Sequence, residues 1–199
     1  MTMNEEKTPI SIEVPKQNSW LAILKEIIIF AVIAFGIVLP FRIYIAEPYL
    51  VDGRSMDPTF ATGDYLIVDK LSYNIGKAPE RNSVLVFRYP NDPSKRFIKR
   101  IIGLPGETVE VSENSVTIFN AENPNGFTLP QDYIRFPLPA STTRMTLSPD
   151  QYFVMGDNRL ESFDSRYWGP LDKKYILGKP ILRLLPIREI GVMPGALKN

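Results

Sequence analysis

The sequence predicts a mainly β protein carried behind a single N-terminal transmembrane helix. Three observations predict it. Residues 27–41 form an unbroken uncharged run. Beyond Ala46, short β-like runs alternate with turn residues, and no stretch keeps a 3.6-residue apolar period for three turns. Eighteen prolines, spread from Pro9 to Pro194, argue against long helices after the first one.

Taken in order, residues 1–20 are polar, lack apolar periodicity and read as a disordered tail. Residues 21–45 read as the anchor. At about 1.5 Å per residue, some 25 helical residues cover the ~30 Å hydrocarbon core of a bilayer. Trp20 and Tyr44 stand where aromatic anchors belong, and Lys25 and Arg42 can snorkel toward opposite interfaces. A cleaved leader would need small residues two apart, and Tyr44-Ile45-Ala46 puts a tyrosine at the outer position. A core helix would show one apolar stripe, whereas Ile, Phe and Val here occupy every face. Lys7, Lys16 and Lys25 before the span set against Arg42 and Arg54 after it favour an N-terminus on the cytoplasmic side.

From residue 46 to 199 the expected strands are 47–51, 65–69, 84–89, 96–104, 108–111, 116–119, 151–155 and 181–185. The breaks between them carry Gly-Asp, Pro-Gly, Asn-Pro-Asn-Gly and Pro-Asp, all turn formers. Residues at about 107–149 look like a smaller inserted β region. No internal repeat is present.

Composition excludes several chemistries. With 23 basic and 22 acidic residues the net charge is +1, so no nucleic-acid footprint is expected. There is no cysteine, hence no disulfide and no thiol nucleophile. There is no histidine either, so a zinc site would have to use carboxylates alone, and neither metal nor cofactor is expected. A Ser-His-Asp arrangement is impossible, while a serine activated by a lysine remains open.

Three segments could carry such chemistry. Ser55 sits in Asp52-Gly53-Arg54-Ser55-Met56-Asp57-Pro58-Thr59, a turn bracketed by Gly53 and Pro58 that can present a hydroxyl together with its own N–H. Lys99 lies in a strand, sharing a face with the bulky Phe97 and Ile101; burial there would disfavour its ammonium and leave a neutral amine able to act as a base. Residues 156–169 form a polar loop after an apolar strand, with Asp157 and Asp164 available to pair with arginines. A turn serine more often caps its turn, a strand lysine more often faces solvent, and an Asp/Arg loop more often braces a fold. Each segment alone leaves both readings open.

Together the segments are more specific. The chain resembles the type I signal peptidases, membrane-anchored serine proteases that remove signal peptides from exported proteins. The resemblance runs from Trp20 to about Ile190. It rests on Ser55-Met56-Asp57-Pro58-Thr59, Gly63-Asp64-Tyr65-Leu66-Ile67-Val68-Asp69-Lys70, Val84-Leu85-Val86-Phe87, Ile98-Lys99-Arg100-Ile101-Ile102-Gly103-Leu104-Pro105-Gly106 and the loop at 156–169, all in family order behind an anchor.

The resemblance implies an antiparallel β catalytic domain with a smaller β insertion, its apolar surface near the bilayer. It implies Ser55 as nucleophile, Lys99 as general base, and Ser162 as a hydroxyl that hydrogen-bonds and orients the Lys99 amine. Asp157 and Asp164 are implied as braces, pairing with Arg100 and Arg166. Implied substrate contacts are Tyr49, Val51, Gly53, Met56, Val86, Phe87, Phe97 and Ile98, whose shallow pockets would accept small side chains, commonly alanine, one and three residues before the cut. The implied partners are preproteins bearing signal peptides and the lipid bilayer. The implied location is a cell membrane with the catalytic domain on the extracytoplasmic side, or a thylakoid membrane in a photosynthetic source.

Several positions depart from the family pattern. Gly53 replaces a serine that often assists the oxyanion hole, so the second oxyanion donor is left open; Asp52 stands where proline is frequent, Asn82-Ser83 replaces a Gly-Asp turn, and Phe60 replaces a leucine. Two rivals are a self-cleaving Ser-Lys repressor and a catalytically silent membrane-anchored β scaffold. The first is opposed by the apolar run and the lack of a DNA-reading domain, the second by filled catalytic positions.

Overall fold

A computed structural model describes residues 19–113, 115–134 and 142–197. The expected polar tail up to residue 18, with Lys7 and Lys16, and positions 135–141 of the expected insertion lie outside the described residues. The chain divides into two compact units, residues 1–40 and 41–199.

In the first unit, α1 (Ser19–Ile33) continues into a π-helical turn, Ala34–Val38. The wider turn has a local cause. Pro40 offers no N–H and its ring crowds the carbonyl four residues back, and just before it the Leu39 N–H donates to Ala34 O, five residues back. The helical run as a whole covers Trp20–Ile45, 26 residues, long and apolar enough to cross a membrane. Apolar side chains such as Trp20, Ile27, Phe30 and Ile37 are exposed along it, with no polar face.

The second unit opens on the last helical turn, Phe41–Ile45, and its described strands all pair antiparallel. Its larger sheet contains β1 (Ala46–Leu50), β2 (Tyr65–Asp69), β3 (Val84–Tyr89), β4 (Asp92–Gly103), β9 (Gln151–Met155), β10 (Leu171–Asp172), β11 (Ile176–Leu185) and β12 (Gly191–Val192). The order is β1-β2-β11-β3-β4-β9-β10, with β12 also on β11. The smaller sheet is β7-β6-β5-β8, from β5 (Thr108–Val111), β6 (Val116–Phe119), β7 (Phe127–Thr128) and β8 (Thr143–Thr146). Two single-turn helices, α2 (Leu71–Asn74) and α3 (Ser165–Trp168), and two 3₁₀ turns, Lys173–Tyr175 and Ile187–Glu189, join the strands.

The pairing of β3 with β4 sets Leu85 opposite Lys99, Val86 opposite Ile98 and Phe87 opposite Phe97. Because side chains alternate, this one ladder feeds two cores. Val84, Val86 and Ile98 join Met56, Phe60 and Leu66 on one face; Leu85, Phe87 and Ile101 join Tyr152, Val154 and Leu171 on the other. A third core fastens the small sheet to the ends of β4 and β9 through Ile102, Phe153 and Met155.

Two strands exceed their expected bounds. β4 starts at Asp92 instead of residue 96, because Pro90-Asn91 makes a two-residue hairpin and Pro93 sits at its end, where a missing N–H is tolerated. β11 starts at Ile176 instead of residue 181; Gly178, Lys179 and Pro180 interrupt its apolar pattern, and the register slips between Pro180 and Leu182.

All three cores draw on residues from Val51 onward. A chain shortened to residues 41–199 is therefore expected to melt cooperatively with a β-type circular dichroism spectrum. It keeps the bonds from Asn74 Nδ2 to Tyr44 O and from the Lys70 N–H to Ile45 O. An unfolded spectrum would make the apolar helix part of the core.

Candidate active site

The turn after β1 is pinned from below and from the side. Met56 and Phe60 are plugged into the core, and the Phe60 N–H closes on Met56 O at 3.0 Å. Gly53, at φ +105, takes a conformation glycine adopts most easily, and its N–H donates to Thr62 Oγ1 at 3.0 Å. The Asn158 N–H donates to Ser55 O at 3.1 Å, fixing the serine against the 156–169 loop. Among the described residues, the Ser55 N–H has no hydrogen-bond partner.

Lys99 reaches this turn from β4. Its Nζ lies 2.6 Å from Ser55 Oγ and 3.0 Å from Ile98 O, with only 4% of the residue exposed. Burial pulls its pKa down to about 8, against the upward pull of the Asp164 and Asp157 charges. Phe97 covers it, the amine sitting 5.3 Å from the ring centroid.

The loop supplies the counter-charges, already paired. Asp157 holds Arg100 bidentately (Nε–Oδ1 2.8 Å, Nη2–Oδ2 2.6 Å) and also accepts from Thr59 Oγ1. Arg100 donates onward to Asn82 O and Gly195 O. Asp164 holds Arg166 in the same way, at 2.8 and 2.9 Å, and caps α3 by accepting from the Arg166 N–H. Both carboxylates and their arginines are out of water.

Ser162 is placed differently from the expectation. Its Oγ accepts from the Gly156 N–H at 3.1 Å; among the described residues Lys99 bonds Ser55 and Ile98 O and makes no bond to Ser162. The reason is local. Gly156 brings its backbone so close that an added Cβ would collide with both Ser55 O and Ser162 Oγ, so the Ser162 hydroxyl is engaged by the loop backbone.

A groove of about 210 Å³ opens beside Ser55 and Lys99, walled by Tyr49, Gly53, Phe97 and Ile98 among the expected contacts. Val86 lines a smaller depression of about 10 Å³ with Tyr49, Val68 and Leu177. Val51, Met56 and Phe87 do not line either; they are turned into the core. Val51 and Met56 pack under the serine turn, and Phe87 meets the Phe97 ring edge-on at 6.3 Å between centroids.

Other groups at the site carry no distinct sequence signal. Arg159 is buried and donates to Gly156 O at 3.0 Å, to Gln131 and to Tyr133 OH, tying the loop to the inserted region; burial lowers its pKa. Glu47, between Lys70 and Arg96, lines the small depression beside Tyr49 and Val86. Burial pushes its carboxyl up, and these two cations more than offset that to hold it below the usual range. A larger cavity of about 620 Å³ lies away from Ser55, lined by Tyr73, Lys77, Asp172 and Lys174, among others.

The chain matches the family model for signal peptidase, peptidase S26, over residues 24–185. It is 37% identical over 187 residues to the probable signal peptidase I-2 of Synechocystis sp., covering 91% of this chain and 80% of that one. It is 36% identical over 176 residues to signal peptidase I of Leptolyngbya laminosa, covering 84% and 81%. It is also 34% identical over 181 residues to the probable chloroplastic thylakoidal processing peptidase 2 of Arabidopsis thaliana, covering 87% of this chain and 47% of that one.

Proposed function

The chain belongs to the signal peptidase family, peptidase S26, serine peptidases that cleave signal peptides, and from that membership we propose that it cuts preproteins after small residues with Ser55 as nucleophile and Lys99 as base. The observation that carries this reading is the 2.6 Å approach of a buried amine to a serine hydroxyl in a chain without histidine.

The neutral Lys99 amine takes the Ser55 proton as Oγ bonds to the scissile carbonyl carbon. The oxyanion that forms meets the unpartnered Ser55 N–H. On collapse the C–N bond breaks and the Lys99 ammonium returns its proton to the leaving amine, leaving an ester on Ser55. Water, deprotonated by the same amine, then releases the signal peptide and restores Ser55. Asp157 and Asp164 position rather than react, since each is already engaged by an arginine. Ser162 positions too, through Gly156 and the Ser55 carbonyl beside it.

β1 is the edge of the larger sheet, and the β9 pairing on β4 begins only at Arg100, so the groove lies beside unpaired strand edges. An extended substrate can add there by backbone pairing, its alternate side chains directed at the wall. The depression by Tyr49 and Val86 holds a group no larger than a methyl. Replacing alanine by leucine three residues before the cut is expected to lower kcat/KM by about five- to 150-fold, a cost of roughly 1–3 kcal/mol for overpacking. Equal cleavage of both peptides would overturn this assignment.

The apolar helix supports anchoring in a bilayer as a single pass, with the N-terminus cytoplasmic and the β unit on the extracytoplasmic face, in a plasma or thylakoid membrane. The decisive test of the reaction is a pH–rate profile on a soluble peptide in detergent. Because the base must be neutral, kcat/KM should climb tenfold per pH unit up to about 8 and then level. An ascending limb centred near 10 would show a solvated lysine and end this reading.

A further inference from the structure

The two ends of the groove differ. At one end Tyr49 OH donates to Arg96 O, beside the methyl-sized depression. At the other, Arg54 Nη1 stands 3.4 Å from Glu161 Oε1. Arg54 immediately precedes Ser55, and Glu161 immediately precedes Ser162. Their backbones are fixed relative to each other by one residue: Asn158 donates its N–H to Ser55 O, and its own O and Oδ1 accept from the Glu161 N–H. The ion pair is therefore built from rigid supports while its charged tips stay in water, 65% and 49% exposed. Such a pair is weak and exchangeable.

Resting on the peptidase reading, in which side chains before the bond lie toward Tyr49 and Val86, the chain after the bond leaves past Arg54 and Glu161. We propose that these two residues form a charge-reading subsite for the first two residues beyond the cut. Arg54 takes an acidic side chain there, and Glu161 competes with it for the guanidinium. Arginine grips a carboxylate with two parallel bonds, which a carboxylate cannot do to a lysine ammonium. The subsite thus favours acidic residues over lysine. Asp52 also borders the groove, and it opposes this preference without reversing it because neither carboxylate can form a paired contact with a lysine ammonium.

The test uses the full chain in detergent and soluble peptides with alanine one and three residues before the bond and Asp, Ala or Lys in the first two places after it. The parent should cut the Asp peptide about threefold faster than the Lys peptide by kcat/KM. Arg54→Glu should reverse that ratio, and Glu161→Gln should raise it by freeing the arginine. Raising the salt to about 1 M should flatten it toward one. If all peptides are cut and Arg54→Glu leaves the ratio at the parent value, the subsite is wrong and the peptidase reading stands. If none is cut at the alanine-preceded bond, both fall.

Discussion

Ser55→Ala and Lys99→Met are each expected to lower preprotein cleavage by about a thousandfold or more, with the fold intact. Removing the nucleophile leaves no atom to carry the acyl group, and a positioned base alone contributes about 10²–10⁴. In the proposed mechanism the two act as one unit, so the double variant should be little worse than either single one. Lys99→Met should also change stability, in the opposite direction from most core substitutions. The folded chain holds the Lys99 proton with a pKa of about 8, against an ordinary 10.5. Below pH 8 the buried ammonium therefore costs roughly 3 kcal/mol, and this cost fades as pH rises toward 10.5. Methionine removes it while losing the bonds to Ser55 and Ile98 O. Thermal melts at pH 7 and pH 10 should show the variant gaining on the parent at pH 7 and losing that advantage at pH 10. An inactive variant that also melts far below the parent would mean that Lys99 is structural.

Asp157→Ala should be the most destabilising single change at the site, by about 3–5 kcal/mol, because it strands Arg100 without a counter-charge out of water. It also frees Thr59, and with it the serine turn. For a unit of this size the melting temperature should fall by about 10 °C. Replacing both partners, Arg100→Met with Asp157→Leu, should recover much of the stability and little of the activity, since apolar groups satisfy the burial without tethering the turn. A drop below about 1 kcal/mol for Asp157→Ala would show that water reaches the pair.

The parts of the fold legible in the sequence are those whose apolar pattern is uninterrupted. β2, β3, β5, β6 and β9 fall at their expected positions because runs such as Val84-Leu85-Val86-Phe87 end in clear turns. β7, β10 and β12 are two residues long and β8 is Thr-Arg-Met-Thr, so pairing with neighbours rather than local composition makes them strands. Single-turn helices carry too few residues for a period. At the site, alternation gives the shared face of Phe97, Lys99 and Ile101. It cannot say that Phe87, on that same face, lies underneath Phe97 rather than beside the groove. Arg159 is hidden because a buried arginine and a solvated one are spelled alike.

The contact between Lys99 and Ser55 spans 44 positions of chain and exists only once β4 has paired and the serine turn has closed over Met56 and Phe60. In an unfolded chain the same lysine is hydrated and almost wholly protonated at pH 7. Folding to a pKa of about 8 multiplies the population of free amine roughly 300-fold. In the mechanism proposed above, the free amine that activates the serine is thus made by the fold itself, and an unfolded copy lacks it.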